Sequence, residues 1–300
     1  MRIDLRYVSS FTYDGQVAQS HNMLRARPTD NDRQRVLSYH VEIDPRVPVH
    51  SSFDYWGTWV DTFAVVQPHS RLTVAAEAVV ETSPAVEPDV DATGPNDPME
   101  FHEYLVPSPH IEWNGDVSRL AREAVGESVT YVANARAVVA AAGALIEYTP
   151  GATEVGTSVV DILEQRSGVC QDYAHVTIAM FRSIGVPARY VSGYLYASDS
   201  AQGDEPINDE ITVSTHAWVE VPLSDGRWWP LDPTNQHDVG ERHVKIGHGR
   251  DYEDITPLRG VYHGTSTSAG LEASVAMSRS GLPQFDLSPR PDLIGVSDQQ

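Results

Sequence analysis

Cysteine, lysine and long apolar runs are nearly missing from this chain of 300 residues. The only cysteine, Cys170, cannot form an intramolecular disulfide, and the only lysine, Lys245, leaves arginine to supply the other basic charges. The longest apolar run, Ala137 to Ile146, is far shorter than the roughly 20 residues that a membrane-spanning helix needs. The first absence excludes a disulfide framework, and the last argues against a membrane-spanning helix.

Basic charge is also scarce, because 42 acidic residues outnumber 21 basic ones and give a net charge of −21. Such a surface repels nucleic-acid phosphates and anionic membranes, so we expect no nucleic-acid partner and no membrane. The acidity suits a basic partner or reflects the general composition of the source organism's proteins, and we favour the second interpretation. The first residues, MRIDLRYVSS, carry charges where a signal peptide is apolar. Together with the free thiol, this predicts a cytoplasmic protein.

The first hundred residues have the pattern of β-strands. Ile3, Leu5 and Tyr7 alternate with charged residues, which is the period of a half-buried strand. Residues 39–43 and 72–76 repeat this alternation, and turn-forming residues separate the runs. We therefore expect an N-terminal β-sandwich-like domain over residues 1–105, in which 82–98 form an exposed loop.

The pattern then becomes helical and afterwards returns to strands. The predicted helices are 116–125, 129–147, a short one after the capping sequence Ser158-Val-Val-Asp161, and a buried central one over 170–184. The predicted strands are 188–197, 212–222, 227–232 and 242–248, with an acidic loop at 198–209. This order predicts an α+β catalytic core over 106–264, followed by 265–300 as a C-terminal strand and a loosely ordered tail.

Cys170 has two interpretations. A free cysteine is most often a small buried core residue, and on its own it favours that interpretation. However, Cys170 begins a predicted helix directly after Gly168-Val169, where the positive end of the helix dipole stabilises a thiolate. Its backbone N–H would also be free to hold an oxyanion.

A nucleophilic thiol needs a base, and two histidines compete for that role. His175 lies five positions along the same helix and points about 140° away from Cys170, so we assign it to the core. His216 begins one predicted strand and Asp232 ends the next, so a hairpin would place them side by side. This order of nucleophile, base and orienting acid is the pattern of covalent acyl transfer.

Several segments of the chain carry a family resemblance. They are GVCQDYAHV, PARYVSGYLY, HAWVEV and GRWWPLDPTN in the core, SHNMLRARP and DYWGTWV in the N-terminal region, and the flanking EYLVPSPHI and HVKIGHGRDYEDITPLRGVYHG. These segments resemble the bacterial transglutaminase-like superfamily of papain-type thiol enzymes. The resemblance implies a papain/transglutaminase-like core, with helices packed on an antiparallel sheet. It makes Cys170 the nucleophile, His216 the general base and acid, and Asp232 the residue that orients His216.

The sequence departs from the family in two places: Trp56-Gly57-Thr58 replaces the usual Phe-Gly-Asn, and an acidic insert precedes HAW. Neither change touches the three proposed catalytic residues. The family's second oxyanion donor is an aromatic or amide side chain, for which the candidates here are Gln171, Tyr148 and Tyr194. Trp218 is either core or a wall of the substrate groove.

Two further patterns stay open or carry little weight. His237, His243 and His248 lie close in sequence, but their spacing matches no zinc pattern, so we expect no metal and no cofactor. Arg189 either pairs with a buried carboxylate or faces solvent.

The expected activity is thiol-dependent hydrolysis of an amide or isopeptide bond in a protein or peptide. The first alternative is transfer of the acyl group to an amine, as in a transglutaminase. The second alternative is a non-catalytic peptide-binding module. The sequence gives no signal about oligomeric state.

Overall fold

The computed structural model describes residues 1–127, 130–196, 211–213 and 215–279. The predicted acidic loop at 198–209 and the predicted tail lie outside these residues. No helix in the described ranges is both long enough and apolar enough to cross a membrane. Helices and antiparallel sheets occur together, which confirms the α+β prediction.

An eight-stranded antiparallel sheet contains the N-terminal strands and three strands from later in the chain. Its members are β1 (Arg2–Leu24), β2 (Gln34–Asp44), β3 (His50–Phe53), β4 (Trp59–Val65), β5 (His69–Thr82), β9 (Ile211–Val213), β14 (Leu258–Gly264) and β15 (Ala269–Arg279). The first half of β1 pairs with β5 and β15, whereas its second half pairs with β4 and β14. The C-terminal strands therefore return to the N-terminal sheet, while the predicted domain boundaries at 105 and 264 stay predictions.

Within the residues that the structure describes, four α-helices follow the N-terminal strands along the chain. They are α1 (Gly115–Val125), α2 (Tyr131–Leu145), α3 (Val159–Gln165) and α4 (Cys170–Ser183), preceded by a 3-10 helix at Pro98–Tyr104. Side chains cap three of the helices: Asn114, Thr130 and Ser158 each accept a hydrogen bond from a backbone N–H of the first turn, and Ser158 is the cap that the sequence predicts. Helix α4 is buried all round, as predicted from its apolar residues on every side.

A five-stranded antiparallel sheet follows, in the order β12–β11–β10–β8–β13. Its strands are β8 (Arg189–Leu195), β10 (Thr215–Pro222), β11 (Trp228–Asp232), β12 (His237–Asp238) and β13 (His243–Gly249). A small parallel pair, β6 (Glu147–Tyr148) and β7 (Ser167–Gly168), leads into α4. The remaining 3-10 helix, Tyr252–Ile255, follows β13.

Two hydrophobic clusters hold these parts together. In the first, the helices pack against alternate residues of β10, namely Ala217, Val219 and Val221. In the second, side chains of the N-terminal sheet pack against Tyr194 and Val244 of the five-stranded sheet. Because β10 alternates, His216, Trp218 and Glu220 point to the other face of their strand from the helix-packed residues.

Candidate active site

Cys170 is the first residue of α4, and the turn before it is held by Asp172. The Asp172 carboxylate accepts hydrogen bonds from the Val169 N–H at 2.8 Å and from the Thr153 hydroxyl at 2.6 Å. A Cβ on Gly168 would lie 2.7 Å from the Cβ of Asp172, so only glycine allows this close approach. The first N–H groups of a helix have no acceptor within it, so the Cys170 N–H points beyond the helix start.

His216 and Asp232 come together at the end of the β10–β11 hairpin. Residues 219–222 pair with 228–231 in reverse order, which brings Asp232 beside the start of β10. The distance from His216 Nε2 to Asp232 Oδ2 is 2.8 Å, and both side chains are buried. The other ring nitrogen, Nδ1, is left for the thiol, which donates a hydrogen bond to the carbonyl of neighbouring Thr215 at 3.8 Å. Cys170 is close enough to His216 to raise the pKa of its imidazole. The predicted trio therefore lies in one place.

The charges of this group are linked. Burial alone would lower the pKa of His216, but hydrogen bonds to Asp232 and Cys170 and their negative charge outweigh it and raise that pKa to about 9. Burial opposes the charged form of Asp232 too, yet its hydrogen bonds, led by that from His216, hold its pKa well below the ordinary value. The geometry therefore favours an imidazolium beside the ionised Asp232 at neutral pH.

Two residues that the sequence analysis did not assign to the site complete the surroundings of Asp232. Asn235 donates its side-chain N–H to Asp232 Oδ2 at 2.7 Å, and its backbone N–H and that of Thr234 reach Oδ1 at 3.1 and 3.0 Å. His243 Nε2 lies 3.2 Å from Oδ2. Because the Gly240 N–H donates to Nδ1 of His243 at 3.2 Å, His243 is neutral and carries its proton on Nε2. The motif DPTN signals Asn235, whereas His243 arrives from a distant strand.

The remaining predicted site residues are placed differently. Tyr148 is exposed, and its pKa is raised by partial burial and by the nearby charge of Cys170. Gln171 donates its amide N–H to the Val155 carbonyl at 3.2 Å. Tyr194 is buried in the second cluster against Tyr7, so its phenol does not line an open groove. Among the three candidates for a second oxyanion donor, Tyr148 is therefore the accessible one.

Trp218 lies behind the two histidines of the site. Its ring centroid is 6.1 Å from that of His216 and 5.4 Å from that of His243, and its side chain is buried. It therefore shields the imidazoles from solvent. Of its two predicted roles, the structure places it in the core rather than on the groove wall.

The other histidines lie elsewhere or serve the core. His175 is fully buried, accepts a hydrogen bond from the Tyr252 N–H at 3.3 Å, and has a pKa that burial lowers to about 3. This agrees with its assignment to the core. Within the described part of the chain, the ligand atoms close enough to share a metal belong to His216, Asp232 and His243. Those atoms are already hydrogen-bonded to one another, so the geometry fits the catalytic arrangement.

Comparison with known proteins shows the family to which the chain belongs. Residues 118–233 match the model of the transglutaminase-like superfamily, and residues 3–81 match that of the bacterial transglutaminase-like N-terminal region. An uncharacterized protein of Mycobacterium leprae (strain TN) is 35% identical over 288 residues, which covers 93% of this chain and 99% of the relative. The chain belongs to the transglutaminase-like superfamily. Members of this superfamily are usually enzymes.

Two further relatives extend the comparison. An uncharacterized protein of Mycobacterium tuberculosis (strain H37Rv) is 31% identical over 291 residues, which covers 91% of each chain. The crystal structure of a "Putative Cysteine Protease" from Cytophaga hutchinsonii superimposes with a TM-score of 0.71 at 20% identity, covering 93% of this chain and 97% of that one. At that identity the likeness shows the fold, which is the transglutaminase-like fold across both sheets.

Proposed function

We propose that this superfamily member is a thiol-dependent amide hydrolase in which Cys170, His216 and Asp232 form the catalytic triad. The observation that carries the proposal is the linked geometry of the three side chains. The thiol heads a buried helix and donates to the carbonyl of Thr215 at 3.8 Å, the residue directly before His216. Nε2 of the His216 imidazole lies 2.8 Å from a buried carboxylate, and Cys170 acts on the pKa of the same ring. This arrangement supplies a nucleophile, a proton carrier and an orienting group in order.

The reaction proceeds in two steps. The thiolate of Cys170 attacks the amide carbonyl carbon, and the resulting oxyanion accepts a hydrogen bond from the Cys170 N–H. His216 gives its proton to the leaving nitrogen as the C–N bond breaks, which leaves a thioester on the enzyme. Water then attacks the thioester, His216 takes the proton of the water, and the acid product leaves as the thiol side chain is regenerated.

Water is the acyl acceptor that the surroundings of Cys170 favour. Cys170 is only partly buried, and neighbouring Tyr148 is exposed, so solvent reaches this part of the site. Transfer of the acyl group to an amine needs the same catalytic side chains but also a site that keeps water out. A protein or peptide amide is the substrate class that we propose, with aminolysis as the alternative outcome.

A competition experiment separates hydrolysis from transfer. The protein is incubated with a panel of N-acylated peptide amides in a large excess of methylamine, and products are identified by mass spectrometry. We expect the free acid in all cases and an acyl-enzyme mass on Cys170, with neither in the Cys170→Ala variant. A methylamide as the main product would instead establish transfer, and peptide binding without product or acyl-enzyme would establish the non-catalytic alternative.

The amino groups of the protein itself are poor acceptors of the acyl group in this experiment. Its only lysine, Lys245, is ion-paired with Glu220 at 2.7 Å, and its α-amino group contacts Glu241 at 3.3 Å. Self-modification therefore contributes little to the product mixture. Any new amide product is therefore formed by transfer of the acyl group to methylamine.

A further inference from the structure

A cavity of about 320 Å³ lies beside the five-stranded sheet, on the face of β10 that carries Trp218 and Glu220. Segments of the N-terminal region, 31–34 and 82–83, form part of its wall. It has the size of a small-ligand pocket. His243 also lines it, so the cavity reaches the residue that hydrogen-bonds Asp232 on the far side from Cys170.

Three basic side chains surround one carboxylate in this cavity. Glu220 is contacted by Lys245 Nζ at 2.7 Å and by Arg189 Nη2 at 2.6 Å. Arg33 lies within range of the charges of both Glu220 and Lys245. Arg189 therefore pairs with a buried carboxylate, which is one of the two interpretations that the sequence left open. However, the single carboxylate of Glu220 cannot balance three cations.

The excess positive charge is unusual for this chain. Its net charge is −21, yet the cavity gathers the only lysine and two arginines around Glu220, with Arg189 buried and Arg33 and Lys245 partly buried. Asp32, the other acidic residue on the wall, is exposed and its charge acts on Arg33, so the three cations still exceed the two acids. Cations held together away from bulk water repel one another unless an anion joins them.

A hydrogen-bond donor in the same wall also lacks an acceptor. Trp218 is 1% exposed, and its Nε1–H has no partner among the residues that the structure describes. A buried N–H without an acceptor is destabilising. An oxygen atom of a bound ligand would satisfy it. Arg189 stacks on Trp228 at 3.8 Å, which fixes the guanidinium from its other side.

We propose that this cavity binds a compact oxyanion, a phosphate or carboxylate group, held by Lys245, Arg33 and the Trp218 N–H. The basic side chains balance its charge, and the indole supplies a directional hydrogen bond. The site is separate from the nucleophile and reaches the triad through His243 and Trp218. Its ligand is therefore a regulator or a remote part of a substrate rather than the scissile amide.

Titration of the intact protein with inorganic phosphate and with acetate, at an ionic strength kept constant with chloride, tests this proposal without any substrate. Calorimetry measures binding, and tryptophan fluorescence reports on the cavity because Trp218, Trp228 and Trp229 line it. We expect saturable binding at one site for at least one of the two anions. The probe that binds identifies the class of headgroup.

Variants locate the site. Lys245→Met and Arg33→Gln are each expected to weaken binding at least about tenfold, since each removes one charged donor. Arg119→Gln, which removes an exposed arginine of α1 paired with Glu123, is the matched control and should bind as wild type does. Trp218→Phe keeps a ring but removes the N–H, and should weaken binding as well.

Two outcomes would overturn the proposal. The first is the absence of saturable binding by either anion to wild-type protein. The second is equal binding by wild type, Arg33→Gln and Lys245→Met, which would place the anion elsewhere. Circular dichroism of each variant establishes that it is folded, and Arg33→Gln provides the decision if Lys245→Met does not fold.

Discussion

Asp232 is the side chain that determines the orientation and charge of His216. It accepts hydrogen bonds from His216, His243, the Asn235 side chain and two backbone N–H groups, those of Thr234 and Asn235. A buried carboxylate with this many donors stays ionised, and its position is fixed. The imidazole consequently presents Nδ1 to the thiol, and its proton is stabilised.

The first prediction concerns the pH dependence of the thiol. With the pKa of His216 raised to about 9, the imidazolium persists through neutral pH and stabilises the Cys170 thiolate. Alkylation by iodoacetamide should therefore be fast and nearly constant across neutral pH in wild type. In His216→Gln it should be slow at neutral pH and rise steeply toward alkaline pH. Amide turnover should fall above about pH 9, as the imidazolium loses the proton that the leaving amine needs.

Intact mass measurement follows this reaction cleanly, since every adduct must be on the single cysteine. His50→Gln, at an exposed histidine of β3 in the other sheet, is the control and should match wild type. Parallel pH profiles for wild type and His216→Gln would contradict the ion pair.

The second prediction concerns Tyr148. Its phenol is exposed and close enough to sense the charge of Cys170, so we expect it to donate to the oxyanion. Tyr148→Phe should lower kcat for amide turnover by about a hundredfold, which is typical for loss of one oxyanion donor. Alkylation of Cys170, which forms no oxyanion, should keep its wild-type rate. An unchanged kcat would remove Tyr148 from the mechanism, and Tyr55→Phe, at an exposed tyrosine bonded to Glu103, is the control.

At the scale of elements, the start of α4 positions the nucleophile. Asp172 holds the Val169 N–H and the Thr153 hydroxyl, so it joins the helix to the segment before α3. Helix caps of this kind contribute about 1 kcal/mol. The same contacts fix the direction in which the Cys170 side chain leaves the helix.

The third prediction tests this cap. Asp172→Ala should lower the free energy of unfolding by about 1–2 kcal/mol in urea titrations. It should also slow alkylation of Cys170, because the thiol moves away from His216. Asp116→Ala, at an exposed acid in the first turn of α1, should change unfolding by less than about 0.5 kcal/mol. Equal effects of the two variants would show that the Asp172 contacts do not hold the helix start.

The elements of the core follow from local sequence, whereas the partners of the site do not. Cap residues and apolar periodicity place α1, α3 and α4 within one or two residues of their observed bounds. The order of Cys170, His216 and Asp232 predicts the triad, since a hairpin has few geometries. By contrast, His243 reaches Asp232 from β13, which pairs with β8 on the opposite side from β10. No local pattern contains that pairing, and the same holds for the Lys245–Glu220 contact.

At the scale of the whole molecule, the side chain of Gln34 ties the N-terminal region to the five-stranded sheet by hydrogen bonds to the backbone of β13. The Gln34 amide accepts from the Lys245 N–H at 2.7 Å and donates to the Lys245 carbonyl at 2.8 Å. It also donates to the Thr29 carbonyl at 2.6 Å. The buried amide of Gln34 thus pairs with β13 as a neighbouring strand would. It also lines the wall of the cavity that contains Lys245.

The fourth prediction is that this contact couples the two sheets. Gln34→Leu keeps the side-chain volume but leaves the Lys245 N–H without this acceptor, at a cost of about 1–3 kcal/mol. The Lys245 carbonyl loses one of its two donors and keeps the Thr29 N–H at 3.1 Å. Urea unfolding should show a free energy lower by about 2 kcal/mol or more, whereas Gln67→Leu, at an exposed position, should stay within about 0.5 kcal/mol of wild type. Tryptophan fluorescence reports mainly on the five-stranded sheet and its surroundings, whereas far-ultraviolet circular dichroism reports on the whole chain. If the sheets unfold together, the two transitions coincide in wild type and separate in Gln34→Leu. Coincident transitions of unchanged midpoint in the variant would show that the hydrophobic cluster and the other hydrogen bonds, such as that from the Thr29 N–H to the Lys245 carbonyl, join the sheets without Gln34.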